Sequence, residues 1–185
     1  MIKAIRQWLG GRLTGDDGAV QTRVLMVCMG NICRSPTAEG VLRTKLQRAG
    51  LADRVLVDSA GTIGSHAGEA PDPRAIAHAA ARGYDLSRLR ARLVVAEDFE
   101  RFDWLLAMDE DNLAWLRQRA PAGAAERCAL LLTFAGLQID PPQVPDPYYG
   151  SPAGFDRVLD LLERACDPLV ARLGAAALPG GRGNA

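Results

Sequence analysis

The fold of this chain is decided by one stretch, Val24-Leu25-Met26-Val27-Cys28-Met29-Gly30-Asn31-Ile32-Cys33-Arg34-Ser35-Pro36. Its first four residues are apolar and bounded by polar positions, which is typical of a buried strand. Ser35 is a suitable N-cap, Pro36 favours the first turn of a helix, and apolar residues recur at helical spacing until Gly50. The stretch therefore predicts a strand, a tight loop and a helix in direct succession.

The alternation of strand and helix continues through the rest of the chain. Short apolar runs predict strands at 55–57, 102–108 and 130–132. Periodic apolar residues predict helices at 73–82, from Asp109 onward, and after the proline-rich loop 140–152. Strands that alternate with helices form a parallel sheet covered on both faces. We therefore predict a single α/β domain with a four-stranded parallel sheet and helices on both faces.

The predicted domain spans residues 23–173, and the two ends of the chain differ from it. Residues 1–22 have scattered apolar side chains before a glycine- and aspartate-rich break, which predicts a weakly structured extension or a short helix. Residues 174–185 are glycine-rich and predict a flexible tail. The formal net charge is 0, which gives no general attraction to nucleic acid or membrane and favours a small or locally charged partner.

The cysteine content predicts a cytoplasmic protein that needs no metal. The four cysteines are not paired with the two histidines in any metal-ligand spacing, and residues 1–22 lack a secretory signal. No apolar run approaches the roughly 20 residues of a membrane span. We therefore interpret the cysteines as thiols, some of them reactive.

The loop after the first strand is a predicted phosphate site, because ligands of such sheets bind at the carboxyl ends of strands. Backbone N–H groups in the loop can point inward as an anion nest, and Gly30 permits the conformations that this requires. The positive end of the next helix faces the same place, and Arg34 supplies a planar fork for two phosphate oxygens. The predicted binding residues are Met29, Gly30, Asn31, Ile32, Cys33 and Ser35.

Cys28 is the predicted nucleophile of this loop. The positive surroundings should hold its sulfur as a thiolate near neutral pH, and a thiolate in an anion site is suited to covalent capture of a phosphoryl group. Spacing alone does not decide this, because Cys166 and Arg172 repeat the same cysteine–arginine interval. That second segment lacks a glycine and falls in a predicted helix, so we interpret it as structural.

Asp146 is the predicted proton donor for the departing oxygen. It lies in Val144-Pro145-Asp146-Pro147-Tyr148-Tyr149-Gly150, where the flanking prolines stiffen the loop. Tyr148 and Tyr149 would provide flat walls for an aromatic ring. The combination of a cysteine, an arginine and a distant acid predicts a cysteine-dependent phosphatase.

Five segments in order resemble the low-molecular-weight protein tyrosine phosphatases, over about residues 23–173. They are Cys28 to Pro36, Asp58-Ser59-Ala60-Gly61-Thr62, Pro71-Asp72-Pro73-Arg74-Ala75, Met108-Asp109-Glu110-Asp111-Asn112-Leu113 and Asp146-Pro147-Tyr148-Tyr149-Gly150. The resemblance implies hydrolysis of phosphotyrosine through a phosphocysteine on Cys28. It also implies that Arg34 binds the phosphoryl group, that Asp146 is the general acid and then base, and that no cofactor or metal takes part.

The resemblance assigns supporting roles to further residues. Ser35 would hydrogen-bond the sulfur, Asn31 and Ser59 would brace the loop, and Tyr148 would line the slot for the substrate ring. Cys33 would be a redox partner of Cys28 or a space-filling residue beneath the loop. The implied partner is a tyrosine-phosphorylated protein, with a bacterial tyrosine kinase as the candidate, and the implied state is a monomer or weak dimer.

Two departures from the family pattern affect the loop and the pocket rim. Some members carry a loop-bracing histidine after the second helix, whereas residues 83–89 here contain none, so loop rigidity must have another source. The rim often carries an aromatic residue where this chain has Ser65 followed by His66. We expect a wider, more polar rim in which His66 contacts substrate without being catalytic.

Three alternative functions are compatible with the loop. Phosphoarginine phosphatases resemble this chain but usually carry threonine where Ile32 stands, and an apolar residue favours a phenyl ring over a guanidinium. Thioredoxin-coupled arsenate reductases need two further cysteines close together, whereas Cys128 and Cys166 lie 38 residues apart and are better explained as buried apolar residues. A protein that only binds phosphorylated partners would not need Cys28, Arg34 and Asp146 together.

Overall fold

The computed structural model describes residues 20–176 of the chain. The predictions for residues 1–19 and 177–185 lie outside the described residues. Strands β1 (Thr22–Cys28), β2 (Val55–Gly61), β3 (Trp104–Ala107) and β4 (Cys128–Leu130) alternate with helices. The helices are α1 (Arg34–Arg48), α2 (Pro73–Ala81), α3 (Ala96–Arg101), α4 (Glu110–Arg119), α5 (Leu131–Phe134) and α6 (Ala153–Ala176).

The four strands form one parallel sheet in the order β2-β1-β3-β4. Val27 of β1 is in register with Ala60 on one side and Ala107 on the other. The chain moves from β1 to β2 in one direction and then crosses back to β3 on the other side of β1. The carboxyl end of β1 is therefore the switch point of the topology, where α/β sheets bind ligands.

The core has two layers because successive residues of a strand point to opposite faces. Val24 and Met26 pack on one face with residues of α1 and α6, and Leu25 and Val27 pack on the other face with residues of α3 and α4. The prediction of a four-stranded parallel sheet with helices on both faces is confirmed. No helix within residues 20–176 is both long and apolar enough to cross a membrane.

Several element boundaries differ from the predictions. The predicted strand 102–108 is shorter, and the unpredicted helix α3 precedes it. The predicted strand 130–132 ends at Leu130, after which α5 begins, because a run of buried leucines does not distinguish a strand from a buried helix. Helix α6 continues to Ala176, three residues beyond the predicted end of the domain.

Candidate active site

Cys28 is the last residue of β1 and lies at the carboxyl edge of the sheet, in register with Gly61 of β2. Its side chain is buried, and the backbone N–H of Asn31 donates to Cys28 Sγ at 3.3 Å. Ser35 Oγ lies 3.1 Å from the same sulfur atom. A backbone N–H and a hydroxyl thus converge on one sulfur atom at the carboxyl edge of the sheet.

Ser35 is not the N-cap that the sequence predicted. Helix α1 begins at Arg34 with Cys33 as its N-cap residue, and no side chain caps it. The hydroxyl of Ser35 is instead turned toward Cys28 and accepts a hydrogen bond from Asn31 Nδ2 at 2.9 Å. Ser35 therefore lies in the first turn of α1 and hydrogen-bonds to residues of the preceding loop. The positive end of α1 faces the same site.

Asn31 is held in a left-handed conformation, with φ of 56°, by bonds to its buried side chain. Its Nδ2 also donates to Ser59 Oγ at 2.9 Å, and its Oδ1 accepts the backbone N–H of Arg92 at 2.9 Å. Ser59 in turn donates to Glu39 Oε2 at 2.5 Å. Asn31 and Ser59, the residues expected to brace the loop, are in contact, but sequence reasoning missed both Glu39 and Arg92.

Arg34 is buried at the start of α1, and both ends of its guanidinium are bound to carboxylates. Its Nη1 donates to Asp109 Oδ2 at 2.5 Å, and its Nη2 donates to Asp146 Oδ2 at 2.8 Å. Burial would lower the pKa of Arg34, but the neighbouring Cys28 sulfur and the two carboxylates outweigh burial and raise the pKa above its ordinary value. Arg34 is therefore a permanent positive charge beside the sulfur.

The two carboxylates on Arg34 are held differently. Asp109 caps α4, because its Oδ1 accepts the backbone N–H of Asn112 at 2.7 Å, and its side chain is 19% exposed. Asp146 lies on the proline-rich loop, and its side chain is 43% exposed. Its Oδ1 accepts the backbone N–H of Tyr148 at 3.0 Å. Asp109 is thus a fixed partner of Arg34. Asp146 is more exposed, so another anion can take its place on Arg34.

Asp109 lies in a segment that resembles the family, but the sequence did not predict a role for it at the site. A signal was available, because Asp109 follows β3 closely in the same way that Cys28 ends β1. Residues that follow neighbouring parallel strands meet at one edge of the sheet, which is where ligands bind.

Gly61 allows the loop to lie directly against β2. A Cβ atom at this position would stand 2.6 Å from the carbonyl oxygen of Met29 and 3.1 Å from the carbonyl carbon of Gly30. Both are backbone atoms, so any larger side chain would push the loop away. The sequence placed Gly61 in a family segment without indicating this contact.

Ile32 and Cys33 belong to a small apolar cluster with Ala75, Ala91 and Phe155. Burial and the negative charge of Asp72 raise the pKa of the Cys33 thiol to about 12. Cys33 is therefore protonated at neutral pH. Cys128 and Cys166 are 1% and 0% exposed, which confirms the interpretation of both as buried apolar residues.

The model of the low molecular weight phosphotyrosine protein phosphatase family matches residues 23–177 of this chain. The chain belongs to this family. A low molecular weight protein-tyrosine-phosphatase of Streptomyces coelicolor is 44% identical over 154 residues, which cover 80% of this chain and 92% of that relative.

Solved structures of other proteins show the same fold. A protein tyrosine phosphatase from Entamoeba histolytica superposes with a TM-score of 0.79 at 40% identity, over 85% of this chain and 99% of that one. Wzb from Vibrio vulnificus, solved in complex with benzylphosphonate, has a TM-score of 0.71 at 27% identity, over 82% of this chain and 99% of its own.

The tyrosines and His66 are held by different neighbours in this low molecular weight phosphatase. The ring of Tyr148 is partly exposed and lies 5.5 Å from the guanidinium carbon of Arg74, whereas Tyr149 is 97% exposed. His66 lies close to the loop, since its Cδ2 would be 3.2 Å from a Cβ on Gly30, and its Nδ1 is 2.8 Å from Glu69 Oε2. The ring of Tyr149 packs edge-on against that of Tyr148, with centroids 4.8 Å apart.

Proposed function

We propose that this chain is a protein-tyrosine phosphatase that hydrolyses phosphotyrosine through a phosphocysteine on Cys28. The observation that carries the proposal is the convergence of three groups from distant parts of the sequence. Arg34 begins the helix that follows the Cys28 loop and interacts with the Cys28 sulfur, and Asp146 reaches Arg34 at 2.8 Å from 112 residues away. A nucleophile, a fixed cation and an acid at one loop are the groups that phosphate-ester cleavage through a covalent intermediate requires.

In the first step the Cys28 thiolate attacks phosphorus and the bond from phosphorus to the phenolic oxygen breaks. Asp146 donates its proton to that oxygen, so that a neutral phenol departs. Arg34 and the backbone N–H groups of residues 29–34 bind the other phosphoryl oxygens. Asp146 must first leave Arg34 Nη2 and take up a proton from solvent, while Asp109 keeps the other end of the guanidinium in place.

In the second step water attacks the phosphorus of the phosphocysteine. The Asp146 carboxylate takes a proton from that water, the bond between sulfur and phosphorus breaks, and Cys28 leaves as a thiolate. Ser35 and the N–H of Asn31 stabilise the departing sulfur, which their positions 3.1 Å and 3.3 Å from it support.

The proposed substrate is a tyrosine-phosphorylated protein in the cytoplasm, with a bacterial tyrosine kinase as the candidate partner. Ile32 favours phosphotyrosine over phosphoarginine as the substrate. Its apolar side chain can pack against a phenyl ring but offers no hydrogen bond to a guanidinium. The ring of Tyr148 lies on the same loop as the proposed acid and supports an aromatic leaving group. Benzylphosphonate, the ligand of the related Wzb structure, also joins a phosphoryl group to an aromatic ring.

The test compares turnover of para-nitrophenyl phosphate, a phosphotyrosine peptide and a phosphoarginine peptide. We expect the wild type to prefer phosphotyrosine, Cys28→Ser to be inactive, and Asp146→Ala to lose roughly 10²- to 10⁴-fold in kcat. Asp140→Asn, an exposed aspartate of the same proline-rich region, is the matched control and should retain activity. Full activity of Cys28→Ser would exclude the mechanism, and preference for phosphoarginine would exclude the substrate assignment.

A further inference from the structure

The conformation of Asn31 determines where one hydrogen bond to the nucleophile points. Its φ of 56° is one that L-residues other than glycine seldom adopt, and its backbone N–H is aimed at Cys28 Sγ. A residue in this region keeps its conformation only when its surroundings hold it. The contacts of the Asn31 side chain are therefore part of what directs the N–H to the sulfur.

The Asn31 side chain is held from three places. Ser35 belongs to α1, Ser59 belongs to β2, and Arg92 belongs to the segment between α2 and α3. The Arg92 contact is made by its backbone N–H, which donates to Asn31 Oδ1 at 2.9 Å. The position of this N–H depends on how firmly the backbone at residue 92 is fixed.

The backbone at residue 92 is fixed by a bridge of three charged side chains. Arg92 Nε and Nη2 donate to Asp58 Oδ2 at 3.2 and 3.0 Å. Arg92 Nη1 and Nη2 donate to Asp98 Oδ2 and Oδ1 at 2.8 and 3.1 Å. The carbonyl of Arg92 also accepts the N–H of Gly61 at 2.7 Å. The guanidinium thus joins β2 to α3, and the adjoining backbone lies between them.

We propose that the Asp58–Arg92–Asp98 bridge positions Asn31 for catalysis, so that Arg92 acts on Cys28 through two successive backbone N–H bonds. The inference rests on the proposed function of the Cys28 loop and adds a positioning residue outside that loop. Charge-assisted, bidentate bonds are strong, and Asp98 is only 4% exposed, so water screens this bridge weakly. The Arg92 side chain itself stays outside the reaction.

The first test compares Arg92→Met with Arg82→Met. Arg82 is a matched control, because it also bridges carboxylates, Asp160 and Glu163, and is 26% exposed against 23% for Arg92, but it joins α2 to α6 away from the loop. We expect Arg92→Met to lower kcat roughly 10- to 100-fold and to weaken competitive inhibition by inorganic phosphate. Arg82→Met should lower the melting temperature but keep both values.

A second measurement separates positioning from general stability. The rate at which iodoacetate alkylates Cys28 reports its thiolate, and its pH profile should move to higher pH in Arg92→Met because the N–H that stabilises the thiolate is no longer aimed. Arg92→Lys retains one charged contact and should recover part of the kcat. An unchanged alkylation profile in a folded Arg92→Met protein would overturn the proposal.

A double-mutant cycle tests whether Arg92 acts through Asn31. Asn31→Gly removes the side chain but still permits the left-handed backbone. If the bridge acts through Asn31, adding Arg92→Met to Asn31→Gly lowers kcat little further, whereas independent effects multiply. Multiplying effects would overturn the proposal. Phosphate inhibition and alkylation are measured without a phosphotyrosine substrate, so failure of the substrate assignment would leave these results interpretable.

Discussion

Cysteine and arginine stand six positions apart at two places in this chain, and the two segments have different structures. Cys28 ends a strand and Arg34 begins a helix, with a loop between them. Cys166 and Arg172 both lie within α6. Cys166 is fully buried in the core, and Arg172 donates to the carbonyl of Phe134 at 2.8 Å and packs over its ring at 3.9 Å.

The difference shows that backbone conformation, and not spacing, creates the site. Six steps along an α-helix turn through about 600°, which leaves the first and last side chains about 120° apart around the axis. The cysteine therefore faces the core while the arginine lies at its exposed edge. Burial raises the pKa of Cys166 to about 12, so its thiol is inert at neutral pH. The loop instead brings the backbone N–H of Asn31 and the guanidinium of Arg34 close to the sulfur of Cys28.

The largest expected difference is between the two cysteines. We expect Cys28→Ser to lose roughly 10⁴-fold or more in kcat, because a hydroxyl is a far weaker nucleophile at neutral pH. Cys166→Ser should keep its kcat and lose about 1–3 kcal/mol in free energy of unfolding, since it buries a hydroxyl in an apolar core. Kinetics with para-nitrophenyl phosphate and urea unfolding measure the two effects. An active Cys28→Ser protein would break the comparison.

As with the two cysteines, we expect the arginine of the loop to affect kcat and the arginine of α6 to affect only stability. Arg34→Lys replaces a fork with a point charge, and we expect a loss of roughly 10²- to 10³-fold in kcat. Arg172→Lys should lower the free energy of unfolding by only about 0.5–1 kcal/mol, through its contact with Phe134. Equal kinetic effects of the two substitutions would show that the Arg34 fork is dispensable.

A substitution at Gly61 tests whether the site needs the close approach of the loop to β2. Gly61→Ala should lower the free energy of unfolding by about 1–3 kcal/mol and reduce kcat, because the new Cβ meets backbone atoms of the loop. Gly64→Ala is the control, since its Cβ would make an ordinary contact with Leu93 at 3.9 Å. Thermal unfolding and steady-state kinetics of both variants decide the matter, and identical behaviour would count against the contact.

The smallest expected effect concerns oxidation of the loop. Peroxide converts the Cys28 thiolate to a sulfenic acid, and attack by the Cys33 sulfur then forms a disulfide and releases water. Because the pKa of Cys33 is about 12, its thiolate fraction and the rate of this second step should rise about tenfold per pH unit between pH 7 and 9. Mass mapping after peroxide treatment measures the bond. Over-oxidised Cys28 beside a free Cys33 would contradict the prediction.

Local patterns were sufficient to predict the sheet, most helices and the loop between β1 and α1. The apolar run before Cys28 and the periodic residues after Pro36 identify β1 and α1, because burial imposes their periods on the sequence. Helix α3 was missed because six residues carry little periodic signal. The role of Ser35 as an N-cap was wrong, because its hydroxyl bonds to groups of the loop that no local pattern reveals.

The supports of the loop depend on tertiary contacts and could not be read from the sequence. No histidine occurs in residues 83–89, and rigidity was expected from elsewhere without a named source. In the structure a backbone N–H of Arg92 contacts Asn31, and a backbone group has no sequence signature. Asp109 reaches Arg34 only because β3 lies beside β1 in the sheet.

The ion pair between Arg34 and Asp146 has a consequence for the order of events in the proposed cycle. Asp146 is bound to Arg34, the cation that an incoming phosphate must also bind. The apparent affinity for any oxyanion is therefore lower, because only molecules in which the ion pair is open can bind it. The same competition works in reverse when free phosphate is formed. Once Asp146 has released to solvent the proton that it took from water, its carboxylate can return to Arg34 and displace the product, so the residue proposed to release the phenol also helps to empty the site.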